Sequence, residues 1–233
     1  MKTTDLIDKV KGKIVFVGFK QKQENNQYMV SISGTGFLYD KKYIISCAHI
    51  YNQIPKIDGI EIFAGILDTS SNHIDTYKTQ NVDFVNKDDQ RDIAVFSLKT
   101  EVAEDKCFKK EDLELDETKI QAGKDVLFVG FPLANDFLKI GVGITLFANK
   151  CIIGAVKYSS NDNKMDFVQI DSHVNPSNSG SPLFDIESGK IFGVVSGTFH
   201  NTVKSQELIQ IPRNMGIVKP ALYIPDTITN IKK

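Results

Sequence analysis

A serine in the middle of a polar turn is the first candidate for chemistry in this sequence. Ser179 lies in Asn-Pro-Ser-Asn-Ser-Gly-Ser-Pro-Leu, residues 175–183. Gly180 permits a tight backbone turn that a residue with a β-carbon would resist. Most clusters of Ser, Asn, Gly and Pro are only loops. The interpretation of Ser179 as a nucleophile therefore depends on what the rest of the chain brings to it.

A serine hydroxyl is a poor nucleophile at neutral pH and needs a histidine base that a third group holds in the right tautomer. His49 follows an apolar strand and is predicted to open a loop, where its ring can face a cleft. His73 lies in a polar run and is predicted at the surface. Asp92 marks the mouth of a buried strand. Taken singly, His49 is equally a polar group at a strand end that has its hydrogen bonds, and Asp92 is equally a turn residue. Their order, His49, Asp92, Ser179, is nevertheless one in which proteins assemble a base, an orienting acid and a nucleophile.

The elements that must position these residues read mostly as short strands. The first hundred residues alternate strands with polar turns, which indicates a barrel or a sandwich. Residues 101–119 are the most polar stretch and are predicted to be a surface connection between two lobes. A short helix is expected at residues 4–11. A second is expected from Asp226, which would cap it, to Lys233. Further strands are predicted at 126–129, 141–153, 167–170, 191–196 and 209–211.

Composition excludes several classes of partner. The 233 residues include 28 basic and 29 acidic side chains, so the net charge of −1 offers no field to attract nucleic acid or an anionic membrane. No stretch is long and apolar enough to predict a membrane-spanning helix, and the N-terminus lacks the apolar core of a secretory signal. Three cysteines without metal-like spacing close at most one disulfide. We therefore expect a soluble cytoplasmic protein with no bound metal.

Four segments together are similar to the signatures of trypsin-like serine proteases. They are 34–37 (GTGF), 45–49 (ISCAH), 92–95 (DIAV) and 175–183 (NPSNSGSPL). The branch that the chain resembles is the HtrA/Deg protease domain, which has counterparts of residues 129–132 and 169–171 as well. The Ser-Gly-Ser-Pro ending is similar to that of bacterial glutamyl endopeptidases. The resemblance covers residues 8–225 in order.

This resemblance implies an all-β fold of two six-stranded antiparallel β-barrels with short terminal helices. One peptidase domain is expected over residues 1–233, with an N-terminal lobe at 12–105 and a C-terminal lobe at 120–225. The implied activity is that of a serine endopeptidase acting on polypeptides through an acyl-enzyme. Ser179 would attack the peptide carbonyl, His49 would take its proton, and Asp92 would hold His49. No cofactor is expected.

The resemblance also predicts where the oxyanion of the reaction would bind. The backbone N–H groups of Ser177 and Ser179 would donate to it, each worth about 3 kcal/mol in the transition state. The family normally has glycine at the position of Ser177, and a β-carbon there makes the required conformation less accessible. One hypothesis is that the hole is collapsed until a substrate or partner orders the loop. Asn178 replaces the aspartate of trypsin-like zymogens, which argues against activation by a new N-terminus.

Substrate-binding residues are implied on the same grounds. The strand around Ser196, Gly197 and Thr198 resembles the one that pairs with substrate backbone, so that the peptide adds as a strand. His173 lies six residues before Ser179, where the family has the base or wall of the primary pocket. It would favour an acidic or polar residue there, although a packing or rim role fits equally. His200 is read as a loop residue that could approach the same pocket.

Two other interpretations stay open. One is a catalytically silent or partner-activated module of the protease fold that binds peptides. The complete set of three reactive residues argues against it, while Ser177 supports it. The other is a protease subunit that works only in an assembly, such as a homotrimer like those of the HtrA group, or beside a separate sensor. HtrA-like chains usually continue into a PDZ domain, and no room for one is expected before the final Lys233.

Overall fold

Two sets of strands account for most of the chain in the computed structural model. It describes residues 1–24, 26–68, 76–204 and 208–230, and no side chains within 200–213. The predictions for His73 and for the side chain of His200 therefore lie outside the described residues. No helix in these ranges is long and apolar enough to cross a bilayer.

The first six strands form one closed antiparallel barrel, in which neighbours follow the order β1-β2-β3-β6-β5-β4 and β4 pairs back onto β1. Their inward side chains are apolar and buried, as the alternating sequence predicts. The strands are β1 (Ile14–Lys22), β2 (Tyr28–Tyr39), β3 (Tyr43–Ser46), β4 (Ile60–Leu67), β5 (Tyr77–Asp88) and β6 (Ile93–Leu98).

The second six strands form another closed antiparallel barrel in the order β10-β11-β12-β9-β8-β7, closed by the pairing of β7 with β10. The prediction of two six-stranded barrels is thereby confirmed. The strands are β7 (Asp125–Gly130), β8 (Phe147–Tyr158), β9 (Met165–Ile170), β10 (Pro182–Asp185), β11 (Ile191–Lys204) and β12 (Leu208–Pro220).

Four short α-helices complete the described chain: α1 (Thr3–Val10), α2 (Ala48–Gln53), α3 (Ala134–Lys139) and α4 (Ile224–Thr229). The terminal helices were predicted, but α4 begins before Asp226, which lies in its first turn. The strand predicted at 141–153 was wrong at its start. Gly141 and Gly143 have φ of 75° and 86°, a backbone that ends α3 and delays β8 until Phe147.

The polar connection between the barrels is more deeply embedded than its composition suggests. It contains three 3-10 turns, at Glu104–Lys106, Lys110–Asp112 and Glu117–Lys119. Between them Phe108 is buried, and its ring packs against Phe37 of the first barrel and Phe184 of the second. The connection therefore contributes to the core that joins the barrels, although its charged side chains remain outside.

Candidate active site

His49 and Asp92 are brought together at one end of the first barrel. His49 is the second residue of α2, not a loop residue as the sequence suggested, because the chain turns into a helix directly after β3. Asp92 sits in the turn between β5 and β6 with a left-handed φ of 50°. Its carboxylate accepts the backbone N–H of His49 at 2.9 Å and lies 2.8 Å from Nδ1 of the ring. One carboxylate therefore fixes both the backbone and the imidazole of His49.

Ser196 supplies a further hydrogen bond to this pair. Its hydroxyl donates to Oδ2 of Asp92 at 2.5 Å. Burial raises the pKa of Asp92, but the hydrogen bonds from His49 and Ser196 and the charge of His49 outweigh it, so the pKa lies below its usual value. An ionised Asp92 stabilises a cationic His49, which a base needs after it accepts a proton.

Ser179 faces the same cleft from the second barrel. This cleft has a volume of about 400 Å³ and is shared by His49, Ser177 and Ser179. The Ser179 hydroxyl donates to the carbonyl of Ser196 at 2.8 Å. In the described part of the chain no hydrogen bond joins Ser179 to His49. The nucleophile candidate is therefore turned toward β11, and its hydroxyl must rotate away from the carbonyl of Ser196 before it can transfer a proton to the imidazole.

The loop that carries Ser179 is fixed by contacts to both barrels. The carbonyl of Ser179 accepts from the backbone N–H of Thr35 at 2.8 Å, and Gly180 donates to the carbonyl of Val195 at 2.7 Å. Gly180 has φ of 92°, and a β-carbon there would lie 1.8 Å from the Thr35 carbonyl. Only glycine fits where the segments of Thr35 and Gly180 approach each other so closely, so Ser179 must be followed by glycine.

Ser177 adopts a left-handed conformation with φ of 69°. Such a backbone costs a residue with a β-carbon about 1–2 kcal/mol. The carbonyl of Pro176 accepts from the N–H of Leu133 at 2.8 Å. Because the intervening peptide is trans, the N–H of Ser177 points the opposite way from that carbonyl. Within the described residues neither Ser177 nor Ser179 uses its backbone N–H as a donor, so both groups remain available to an anion.

The predicted substrate-binding residues lie on two elements. Ser196, Gly197 and Thr198 belong to β11, beyond the last pairing of β10 with Val194. One edge of this segment pairs with β12, and its other edge has no partner strand among the described ones. A side chain on Gly197 would meet nothing within 4 Å, whereas the Thr198 hydroxyl bonds the carbonyl of Met215. The edge that faces away from β12 is extended, as the addition of a peptide strand requires.

His173 is half-buried in the stretch between β9 and the loop of Ser179. It does not line the cleft of His49 and Ser179. The only hydrogen bond at this residue in the described chain is one that its backbone carbonyl accepts from the Ser172 hydroxyl. Its role in selectivity therefore stays a prediction.

One group of metal-ligand types occurs among the described residues. Atoms of Cys47, His49 and Asp92 all lie within 4.8 Å of one another. The Cys47 thiol is buried, which raises its pKa well above the usual range, and it donates to the carbonyl of Val195 at 3.2 Å. Both carboxylate oxygens of Asp92 already accept hydrogen bonds. The cluster is explained as a hydrogen-bonded network around the imidazole.

Sequence reasoning missed three contributors to this site. It assigned Ser196 to substrate binding only, and it gave no role to Thr35 or Leu133. Thr35 carries a signal, since it is the second residue of the GTGF segment. Leu133 carries none, because its contribution is a backbone N–H held by a left-handed φ of 53°.

The comparisons with known proteins agree with this geometry. The family model described as a trypsin-like peptidase domain matches residues 34–194. A serine protease Do-like HtrA of Bacillus subtilis (strain 168) is 24% identical over 216 residues, covering 84% of this chain and 42% of the relative. A probable periplasmic serine endoprotease DegP-like of Marinomonas sp. (strain MWYL1) is 26% identical over 179 residues, covering 76% and 32%. The chain thus spans less than half the length of these relatives.

Solved structures share the fold. Deg5 superposes with a TM-score of 0.69 at 16% identity, covering 98% of this chain and 92% of that one. The HtrA-type protease AlgW, solved with a tripeptide, gives 0.66 at 18% identity, covering 99% and 64%. With both barrels, the paired His49 and Asp92 and the family match in view, this chain belongs to the trypsin-like peptidase domain family, alongside relatives of the HtrA group.

Proposed function

We propose that the protein is a serine endopeptidase in which Ser179, His49 and Asp92 act as nucleophile, base and orienting acid. The observation that carries the proposal is that Asp92 accepts two hydrogen bonds from His49, one from the backbone N–H and one from Nδ1. His49 and Ser179 line the same cleft. A histidine held in this way presents Nε2 to the cleft in the neutral tautomer.

The proposed reaction has two halves. Ser179 Oγ attacks the peptide carbonyl carbon while His49 Nε2 takes its proton, and His49 then gives that proton to the leaving amine as the C–N bond breaks. Water next attacks the acyl-enzyme, loses a proton to His49, and Ser179 is released as it regains one. In both halves the oxyanion would accept from the N–H groups of Ser177 and Ser179. Asp92 stays ionised throughout, in keeping with its lowered pKa.

The proposed substrate is an extended polypeptide that pairs with the edge of β11 at Ser196–Thr198 that faces away from β12. The geometry of this edge supports the proposal, and the relative AlgW has been solved with a tripeptide and with a decapeptide. We retain His173 as a residue whose effect on selectivity a peptide-library cleavage profile of His173→Ala would test.

A second candidate is a module that is silent or that becomes active only with a partner. The observation that favours it is the resting position of the Ser179 hydroxyl on the carbonyl of Ser196. A partner or substrate that occupied this carbonyl would release the hydroxyl toward His49. A homo-oligomer or a separate activating protein is compatible with this step.

Labelling by a fluorophosphonate probe, which reacts with an activated serine, separates these functions. The purified protein is treated alone and with cell lysate, with Ser179→Ala as the control. We expect Ser179-dependent labelling of the protein alone. Labelling only with lysate would instead favour partner activation, and a failure to label in both conditions would favour the silent module.

We further propose that the protein works in the cytoplasm. Its cysteines Cys47, Cys107 and Cys151 are all buried and unpaired, as suits a reducing compartment. Fractionation of the native cells, with the protein detected by antibody, tests this location, and recovery in the membrane or external fraction would contradict it.

A further inference from the structure

Thr35 of the first barrel forms hydrogen bonds through both its backbone and its side chain. It lies on β2, is fully buried, and uses all its polar atoms. Its N–H donates to the carbonyl of Ser179 at 2.8 Å, and its carbonyl accepts from the hydroxyl of Ser46 at 2.6 Å. Its own hydroxyl contacts Ser177 and Phe131 of the other barrel.

The direction of these last two hydrogen bonds is fixed by chemistry. The backbone N–H of Phe131 donates to Thr35 Oγ1 at 3.0 Å, so this oxygen is an acceptor there. The single hydroxyl proton is then left for the carbonyl of Ser177, 2.7 Å away. A carbonyl cannot donate, so no other assignment of the proton satisfies both partners.

Ser177 is thereby held on both sides. The carbonyl before it, of Pro176, is fixed by the N–H of Leu133, and its own carbonyl is fixed by the hydroxyl of Thr35. The rotation of one peptide relative to the other sets φ and ψ of Ser177, so these two hydrogen bonds hold the left-handed conformation that serine otherwise resists. The trans peptide points the N–H of Ser177 away from the Pro176 carbonyl, and the hydrogen bond from Leu133 to that carbonyl fixes the direction.

We propose that Thr35 is a positioning residue whose hydroxyl keeps the oxyanion-binding N–H of Ser177 in place, compensating for a serine where related proteases have glycine. The inference rests on the proposed endopeptidase function. It is an alternative to the hypothesis of a collapsed hole, because two hydrogen bonds hold the backbone on either side of Ser177. Because Thr35 belongs to the first barrel and Ser177 to the second, the hole depends on the docking of the two barrels.

Two substitutions at Thr35 separate the hydroxyl from the side-chain shape. Thr35→Val keeps the shape but removes the hydroxyl, and we expect kcat on a quenched-fluorescent peptide to fall by roughly 10²-fold, as for loss of one oxyanion donor, with little change in KM. Thr35→Ser keeps the hydroxyl and should retain most of the activity. Thr227→Val is a matched control, because Thr227 is also buried and its hydroxyl also donates to a backbone carbonyl, that of Tyr223.

The decisive comparison repeats Thr35→Val in a Ser177→Gly background. Glycine adopts the left-handed conformation without strain, so the loss of kcat caused by Thr35→Val should shrink there to roughly tenfold or less. A loss of equal size in both backgrounds would overturn the proposal, and so would a Thr35→Val enzyme with the kcat of the wild type.

Urea unfolding in the same two backgrounds, with Ser177 and with Ser177→Gly, tests the role of Thr35 separately from the endopeptidase function. If the wild type proves inactive, the endopeptidase function fails, but the hydroxyl must still support Ser177. Thr35→Val should then lower the urea midpoint more in the Ser177 background than in the glycine background, whereas Thr227→Val should lower it equally in both. Equal shifts for Thr35→Val would refute the role of Thr35 independently of any activity.

Discussion

Asp92 accepts hydrogen bonds from the backbone of His49, from its ring and from the hydroxyl of Ser196. A carboxylate with three donors keeps its charge, and that charge is what a protonated imidazole needs nearby. At the scale of the residue, Asp92 therefore supplies a charge and two accepting oxygens, and the isosteric amide has neither the charge nor the second acceptor.

Asp92→Asn should lower kcat by about 10⁴-fold, because the amide NH₂ would face Nδ1 of His49 and favour the wrong tautomer. Peptide turnover and fluorophosphonate labelling measure the effect. Asp89→Asn is the matched control, since Asp89 lies in the same turn and pairs only with exposed groups, Lys87 and Asn52. Equal losses in the two variants would refute the assigned role.

The lowered pKa of Asp92 also predicts a dependence of stability on pH. Its folded pKa lies below the unfolded value of about 3.9, so the carboxylate stabilises the fold fully above that value. This contribution is lost as the pH falls through the folded pKa. The difference in unfolding free energy between the wild type and Asp92→Asn should therefore narrow from pH 6 toward pH 3 in urea titrations. A difference that widens as the pH falls would contradict the shift.

The elements matter because they bring loops to the cleft from opposite sides. The turn between β5 and β6 presents Asp92, α2 presents His49, and the loop before β10 presents Ser179. Strand β11 lies beside them, and its Ser196 forms hydrogen bonds with both Asp92 and Ser179. The turn of Asp92 and the step from β3 into α2 are short, so the strands determine where these side chains lie. The longer loop of Ser179 is held by its hydrogen bonds to Thr35 and Val195.

Gly180→Ala should destabilise the protein strongly, because the new methyl group would lie 1.8 Å from the Thr35 carbonyl in a backbone with φ of 92°. Gly123→Ala is the control, since Gly123 has φ of 88° with nothing within 4 Å of the added carbon. The control should lose only the strain of about 1–2 kcal/mol. Urea unfolding compares the two variants, and equal losses would mean that the contact to Thr35 is unimportant.

The whole molecule joins the barrels through a shared apolar core. Phe131 comes from the chain after β7, yet its ring packs edge-on against Phe16 and Tyr77 of the first barrel at 5.5 Å. Phe108 bridges the barrels in the same way. The larger buried cluster contains residues of both barrels, whereas a smaller one lies within the second barrel. The first barrel therefore shares its core with the second.

Phe131→Ala should cost about 3–5 kcal/mol, a large part of the 5–15 kcal/mol typical of a folded domain. Because the ring belongs to a core that both barrels share, we expect a single unfolding transition that shifts as a whole in urea. Near- and far-ultraviolet circular dichroism should report coincident midpoints. Phe147→Ala is the control, as this ring is 39% exposed. A separate early transition of one barrel would contradict the shared core.

Much of this architecture follows from the sequence. Alternating strands and polar turns predict two β-lobes, since strand periodicity is a local property. The segments around His49, Asp92 and Ser179 indicate the family, because their chemistry needs those residue types and the family has them in that order. The helix at His49 and the late start of β8 were missed, since short apolar runs fit either structure and tertiary packing decides between them.

The tertiary structure alone decided the hydrogen bonds between residues that are far apart in the chain. The sequence determined which serine stands on the turn and which histidine and aspartate accompany it. It did not reveal that Ser177 rests in a left-handed conformation, because the groups that hold it, Leu133 and Thr35, are 44 and 142 residues away. Nor did it reveal that Ser179 rests on the carbonyl of Ser196. Backbone conformation and hydroxyl direction depend on such long-range hydrogen bonds, which residue types and spacing do not record.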